Sequence, residues 1–150
     1  MRGSLRMCLV LLVCFLVSFS GTAQQVTQEQ LIGDWVFNYE VSLELMDEAA
    51  RSHYEQMDAN GVANLEQAYQ GRRLVFGPAG YFSQELSDGQ QVEALWSLDT
   101  AGDIEIVSPS GQVINFRVLE IAEDHIILIP KKPDNSMANM LFSQWYLMKG

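Results

Sequence analysis

Cysteine is scarce in this chain of 150 residues, and both copies, Cys8 and Cys14, fall within the first 23 positions. The remaining sequence has no thiol, which excludes a disulfide framework, a thiolate metal site and a cysteine nucleophile there. Histidine is equally scarce. The two copies, His53 and His125, have no second histidine or cysteine at the spacing of metal ligands. The sequence therefore predicts no metal site, and stability must come from packing.

Basic residues are few as well, with nine lysines and arginines against 19 acids. Arg2 and Arg6 belong to the first 23 residues, so the rest carries a net charge of 7 − 19 = −12. Such a surface excludes nucleic acid as a partner, because phosphate binding needs clustered lysine or arginine. A G-x-S-x-G nucleophile elbow and a glycine-rich phosphate loop are also absent from the sequence. We therefore predict no catalytic residue and no cofactor, and expect a protein that is not an enzyme.

The first 23 residues have the pattern of a secretory signal peptide. Two arginines and no acid precede an apolar run from Leu9 to Val17, and the small residues Gly21 and Ala23 follow it. The run is short for a membrane anchor, which needs about 20 residues. We expect cleavage after Ala23, a secreted or periplasmic location and no stable membrane insertion afterwards. Residues 24–150 then form one domain, expected to be monomeric.

Alternation of apolar and polar residues marks the first strand, at residues 31–41, where Trp35, Phe37 and Tyr39 share one face. Further short strands follow, separated by turns rich in glycine, proline, aspartate and serine. Short links between sequential strands favour an up-and-down meander over a Greek key. The predicted fold is mainly β, an eight-stranded antiparallel up-and-down barrel. Its strands are residues 31–41, 74–76, 81–86, 92–98, 104–108, 113–121, 125–129 and 141–148, with a loop at 130–136.

A helical insertion is predicted between the first two strands, at about residues 43–69. Apolar residues there fall three or four apart, as on one face of a helix, and include Met46, Ala50, Met57, Val62 and Leu65. We predict a helix of about four turns that stops at Asn60-Gly61, then a shorter helix before Gly71. Two hypotheses remain open. The pair is either a lid that opens to admit a ligand or a plug that closes the core permanently.

Gly33-Asp34-Trp35 on the first strand, the eight-stranded meander and Trp145 on the last strand resemble the lipocalin-like families of small secreted bacterial domains. The hairpin from Phe76 to Phe82 and the pair Leu95-Trp96 resemble later motifs of these families. The helical pair is similar to that of fatty-acid-binding proteins, where it covers the barrel mouth. The resemblance implies a calycin-type barrel with Trp35 at its closed end, although the cysteine pair of classical lipocalins is missing.

Inward aromatic residues are the candidates for function. A barrel of eight strands is just wide enough either to be filled by side chains or to hold one small ligand. The first hypothesis is a small apolar ligand inside the barrel. The alternative is a solid-cored structural or protein-interaction domain without a cavity. The candidate lining residues are Phe37, Tyr39, Phe76, Trp96, Phe116 and Tyr146.

Overall fold

A computed structural model describes residues 25–131 and 141–150. The predicted signal peptide and most of the predicted loop, residues 132–136, lie outside the described residues. Eight antiparallel strands pair in chain order and β8 pairs back to β1, so the predicted up-and-down closed barrel is confirmed. The strands are β1 (Gly33–Phe37), β2 (Arg73–Phe76), β3 (Tyr81–Glu85), β4 (Gln91–Leu98), β5 (Ile104–Val107), β6 (Val113–Ile121), β7 (His125–Lys131) and β8 (Trp145–Lys149).

Four α-helices lie in the described residues: α1 (Gln28–Leu31), α2 (Tyr39–Glu44), α3 (Glu48–Glu55) and α4 (Ala59–Tyr69). The last three separate β1 from β2, which confirms the helical insertion. Within the described ranges, no helix has both the length and the apolar character needed to cross a membrane.

Capping residues explain where the predicted boundaries in the first half were wrong. The first strand ends at Phe37 rather than at 41, because the Asn38 side chain accepts a hydrogen bond from the Val41 N–H (3.1 Å) and starts α2. The predicted four-turn helix is two helices, since Asp47 caps α3 in the same way (2.7 Å to the Ala50 nitrogen). Asp58 caps α4, so Asn60-Gly61 belongs to its first turn and is not a stop.

The last two strands also differ from the prediction. β7 continues through Lys131, and Pro130 is paired with Phe116 instead of beginning the loop. β8 begins at Trp145 rather than at residue 141. Leu141 and Phe142 precede it and are buried in the core, so their apolar character reflects packing at the barrel end and not strand alternation.

Two tryptophans close one end of the barrel, and the indole of each donates a hydrogen bond to a backbone carbonyl. Trp35 is 1% exposed, and its indole N–H donates to the Leu31 carbonyl of α1 (2.8 Å). Trp96 donates to the Gly77 carbonyl in the turn between β2 and β3 (2.9 Å). Each indole therefore buries a large ring while pairing its polar atom, as a buried tryptophan requires. The placement of Trp35 at the closed end agrees with the prediction.

Candidate functional site

Four of the six candidate lining residues point into the barrel and contact other aromatic rings there. Phe76 lies 5.1 Å from Trp96 and 5.2 Å from Phe82 between ring centroids. Towards the other end, Trp145 lies 5.4 Å from Phe37 and 5.2 Å from Phe116. Side chains thus occupy much of the interior that the sequence left open for a ligand.

The two remaining candidates are placed differently from the prediction. Tyr39 lies on α2 rather than on a strand, and its ring packs edge-on against Phe142 (5.7 Å). Tyr146 was predicted to face inward, but the inward positions of β8 belong to Trp145 and Leu147, and Tyr146 stacks on His125 outside the barrel. Successive side chains along a strand point to opposite faces of the sheet. The prediction therefore assigned Tyr146 to the inward face that its neighbours Trp145 and Leu147 occupy.

The helix-covered end of the barrel, here called the mouth, holds a second aromatic cluster. Because the strands are antiparallel, β1 and β3 end there while β2, β4 and β8 begin there. Tyr69 at the end of α4 lies 4.8 Å from Phe142 and 5.8 Å from Trp145. We call Phe37, Tyr39, Tyr69, Phe142 and Trp145, together with Arg72, the mouth cluster.

Arg72 is the charged member of the mouth cluster. Its guanidinium lies 4.1 Å from the Tyr69 ring centroid and 5.6 Å from that of Trp145, so cation–π attraction holds it in place. One terminal nitrogen, Nη2, donates to the Ala68 carbonyl (2.9 Å). The Nε atom is buried and has no hydrogen-bond partner in the part of the chain that the structure describes, and burial lowers the pKa of the Arg72 side chain from its ordinary value.

The Tyr39 hydroxyl is the other unpaired polar atom of the mouth cluster. It is buried, and no group among the described residues is placed to form a well-aligned hydrogen bond with it. Burial, followed by the neighbouring Tyr54 side chain, raises the pKa of Tyr39 above its ordinary value, so the phenol stays neutral. A buried polar group without a partner costs about 1–3 kcal/mol. The mouth therefore contains two polar atoms, on Tyr39 and Arg72, that a bound molecule could satisfy.

A cleft of about 280 Å³ opens beside Arg72. Asn64, Gln67 and Ala68 of α4 form one wall, and the turn between β3 and β4 forms the other. The Ser87 hydroxyl of that turn donates to the Gln67 carbonyl and joins the two walls. Arg72 therefore borders both the cleft and the aromatic rings of Tyr69 and Trp145.

The helices over the mouth are attached unequally. α2 is anchored by Ser42, which is fully buried and whose hydroxyl accepts a hydrogen bond from the Tyr146 N–H (3.0 Å). In contrast, α3 and α4 contain no fully buried residue. They contact the core through half-buried side chains: Ala50, Tyr54, Leu65 and Tyr69. Segments with few buried contacts are the ones that open most readily, so we expect α3 and α4 to separate from the core more easily than α2.

The outer surface carries an apolar row that runs across four strands. Tyr81 pairs with Leu95, Leu95 with Val107, and Val107 with Val113. Leu95 is 65% exposed, the largest value among the exposed apolar side chains. Tyr81, Leu95 and Val107 also line a cleft of about 390 Å³. This outer row is a second candidate surface, distinct from the mouth.

His125 forms a charged group on the outer face near the closed end. Its Nδ1 lies 2.8 Å from Asp124 Oδ1 and its Nε2 lies 3.2 Å from Glu120 Oε1. The ring stacks on Tyr146 with a centroid distance of 4.9 Å. The hydrogen bond to Asp124, followed by that to Glu120, raises the pKa of His125 above its ordinary value. Within the described residues, no group of three or more potential ligands is arranged to hold a metal ion.

This raised pKa predicts how stability depends on pH. The folded protein favours protonated His125, so the stabilisation is fully present below the imidazole pKa of the unfolded chain, about 6.5. It is lost as the pH rises through the higher folded-state pKa. We expect His125→Gln to lower the thermal midpoint more at about pH 5 than at about pH 9. Melting curves of the variant and the wild type at both pH values measure this, with exposed His53→Gln as the control. If the thermal midpoint of His125→Gln falls further below that of the wild type as the pH rises, the raised pKa of His125 is contradicted.

Sequence reasoning missed four members of the mouth cluster: Tyr69, Arg72, Phe142 and Trp145. A signal existed for Trp145, since it alternates with Leu147 on the last strand. For Arg72 the nearby sequence offers only Tyr69, three positions earlier, because its second aromatic partner, Trp145, is 73 positions away in the chain. The closed eight-stranded antiparallel barrel is consistent with a calycin-like fold. No protein-family model matches the chain, and neither a curated protein nor a solved structure matches it.

Proposed function

We propose that this protein is a secreted or periplasmic, non-enzymatic, lipocalin-like barrel that binds a small, largely apolar ligand at its helix-covered mouth. The observation that carries the proposal is the mouth cluster itself. It combines five aromatic rings with two buried polar atoms, the Tyr39 hydroxyl and Arg72 Nε, that have no partner among the described residues. Ligand sites typically have this composition, an apolar lining with a few polar groups that orient the ligand.

Access to this site depends on the helices. α3 and α4 cover the mouth without a fully buried residue, so separating them from the core exposes only half-buried side chains. α2 stays in place, because Ser42 joins it to β8. We therefore favour the lid hypothesis over the plug for α3 and α4, and assign the permanent closure of the mouth to α2.

The location of the ligand is tested with a neutral aliphatic alcohol that carries a terminal bromine, which quenches tryptophan fluorescence on contact. Trp145 lies in the mouth cluster, whereas Trp35 and Trp96 lie at the closed end. We expect saturable quenching of the wild type and loss of that component in Trp145→Phe. Equal quenching in Trp145→Phe would place the ligand elsewhere. A wild type without saturable quenching would contradict ligand binding.

The alternative function is that of a solid-cored interaction domain, and the outer row favours it. An apolar row that crosses four strands in register, with Leu95 mostly exposed, is the kind of surface by which proteins bind partners. Replacing Leu95 by lysine separates the two functions. The quenching by the brominated alcohol should be unchanged in Leu95→Lys if the mouth is the binding site.

A further inference from the structure

The outer row is an apolar surface with an acidic side chain on each side of it. Cross-strand pairing places Leu95 between Tyr81 and Val107. Glu93 precedes Leu95 by two residues on β4, and Glu105 precedes Val107 by two residues on β5. Side chains two residues apart share one face of a sheet. Because β4 and β5 are antiparallel, the two carboxylates lie on opposite sides of the row.

The strands that carry the outer row have little positive charge to balance these acids. β3, β4 and β5 contain no lysine or arginine. The first base on β6 is Arg117, four residues beyond Val113, a separation of roughly 13 Å along a strand. The whole chain has a net charge of −10, so the local negative potential adds to that of the molecule.

The cleft in the outer row places an apolar space directly beside one of the acids. Its volume is about 390 Å³, and Leu95, Val107 and Pro109 line it together with Glu93. The Tyr81 hydroxyl donates to Glu93 Oε1 (3.2 Å), which orients the carboxylate at the wall of the cleft. An apolar side chain that enters the cleft therefore has a negative charge next to it.

From this arrangement we infer that the outer row docks a partner protein through a segment that carries a large apolar side chain with lysine or arginine on both sides of it. The apolar side chain enters the cleft, and the two basic side chains reach Glu93 and Glu105. The inference goes beyond the proposed function and does not depend on a ligand in the mouth.

The spacing of the acids suits an extended partner segment that lies along β4. Both neighbours of β4 in the closed barrel already pair with it, so the partner binds through side chains. In an extended segment, residues two apart share a face and are about 7 Å apart, as are Glu93 and Leu95. Ser97 follows Leu95 by two residues and pairs with Glu105. A segment with bases two positions before and after its apolar residue therefore matches both carboxylates.

Charge also decides against the other occupants of an apolar surface. In a symmetric dimer the same patch of both copies meets, which would bring the acids beside the row close to their own copies. An anionic membrane would be repelled in the same way. A cationic segment is attracted instead, since complementary potentials speed association and suppress wrong partners.

The test titrates the wild type with a blocked peptide, Lys-Thr-Phe-Thr-Lys, and follows backbone amide resonances by nuclear magnetic resonance. We expect saturable shifts at Leu95 and Val107, and weaker binding as the salt concentration rises. The control peptide Glu-Thr-Phe-Thr-Glu has the same apolar residue and the opposite charge, and should cause no shift.

Four variants assign the contacts. Leu95→Lys should abolish binding of the lysine peptide, whereas Leu119→Lys adds the same charge at an exposed apolar residue of β6 outside the row and should leave binding unchanged. Glu93→Gln should weaken binding roughly two- to fivefold, the size of one exposed ion pair. Its control, Glu55→Gln on exposed α3, should have no such effect. Thermal melts confirm that each variant folds.

Several results would overturn the docking surface. These are equal binding of the two peptides, no shift with the lysine peptide, shifts confined to residues outside the row, and binding that survives in Leu95→Lys. Sedimentation that shows a dimer abolished by Leu95→Lys would assign the row to a second copy of the chain, and binding of neutral phosphatidylcholine vesicles lost in the same variant would assign it to a lipid surface. Quenching by the brominated alcohol tests the mouth separately, so failure of the docking surface leaves the proposed function in place.

Discussion

Replacing Trp35 by alanine is expected to lower the free energy of unfolding by about 3–5 kcal/mol, the usual cost of truncating a buried tryptophan. The whole domain is stabilised by roughly 5–15 kcal/mol, so the thermal midpoint should fall by on the order of 10 °C. The effect is large because Trp35 is 1% exposed and its indole also satisfies the Leu31 carbonyl. Thermal melting followed by circular dichroism measures it.

Trp35→Phe separates the contribution of the hydrogen bond from that of the buried ring. Phenylalanine keeps an aromatic ring in the closed end but cannot donate to the Leu31 carbonyl, so we expect an intermediate loss of about 1–3 kcal/mol. A thermal midpoint unaffected by Trp35→Ala would show that this residue does not close the barrel.

The second large effect is a contrast between neighbours on β4. Trp96 is 3% exposed and points into the barrel, whereas Leu95 is 65% exposed in the outer row. We expect Trp96→Ala to cost about 3–5 kcal/mol, since it also leaves the Gly77 carbonyl without its donor. Leu95→Ala should change stability by no more than about 0.5 kcal/mol. Chemical denaturation of the two variants gives both values under the same conditions.

This contrast tests the register of the barrel directly. A shift of one residue in the pairing of β4 would exchange the faces of Leu95 and Trp96. Similar losses in both variants, or a larger loss in Leu95→Ala, would be incompatible with the pairing of Trp96 to Ile106 and of Leu95 to Val107.

The fold was accessible from the sequence because strand alternation and turn chemistry are local signals. Turns at Gly77–Gly80 and Gly102 and the alternation around Trp96 each depend on a few adjacent residues, and they placed the strands in order. Helix-capping residues are local signals too. However, Asn38 and Asp47 lie within stretches where apolar residues recur at regular intervals, and this regularity concealed the end of the first strand and the start of α3. Thus the eight strands and the helical insertion were predictable although several of their ends were not, and the short helix α1 was not predicted.

The mouth cluster was less accessible because it is assembled from distant parts of the chain. The inward position of Phe37 could be predicted from the alternation along its strand. Its partners come from elsewhere, Tyr69 from α4 and Phe142 from a segment before β8. One of the two aromatic rings beside Arg72, that of Tyr69, is three positions away in the sequence, but the other, that of Trp145, comes from the last strand. Sequence patterns specify which face a residue occupies, whereas the contacts across a barrel end depend on how the helices pack.

The claim that α3 and α4 form a lid over a binding site is tested by tying α4 to the barrel. Residues 24–150 contain no cysteine, so the paired substitutions Gln67→Cys and Ser87→Cys would introduce a single disulfide where the Ser87 hydroxyl already meets the Gln67 carbonyl. The two single-cysteine variants are the controls, and the measured quantity is the rate at which the brominated alcohol dissociates. We expect dissociation to be slow in the oxidised double variant and to return to the wild-type rate on reduction. The same rate in both redox states would contradict the lid.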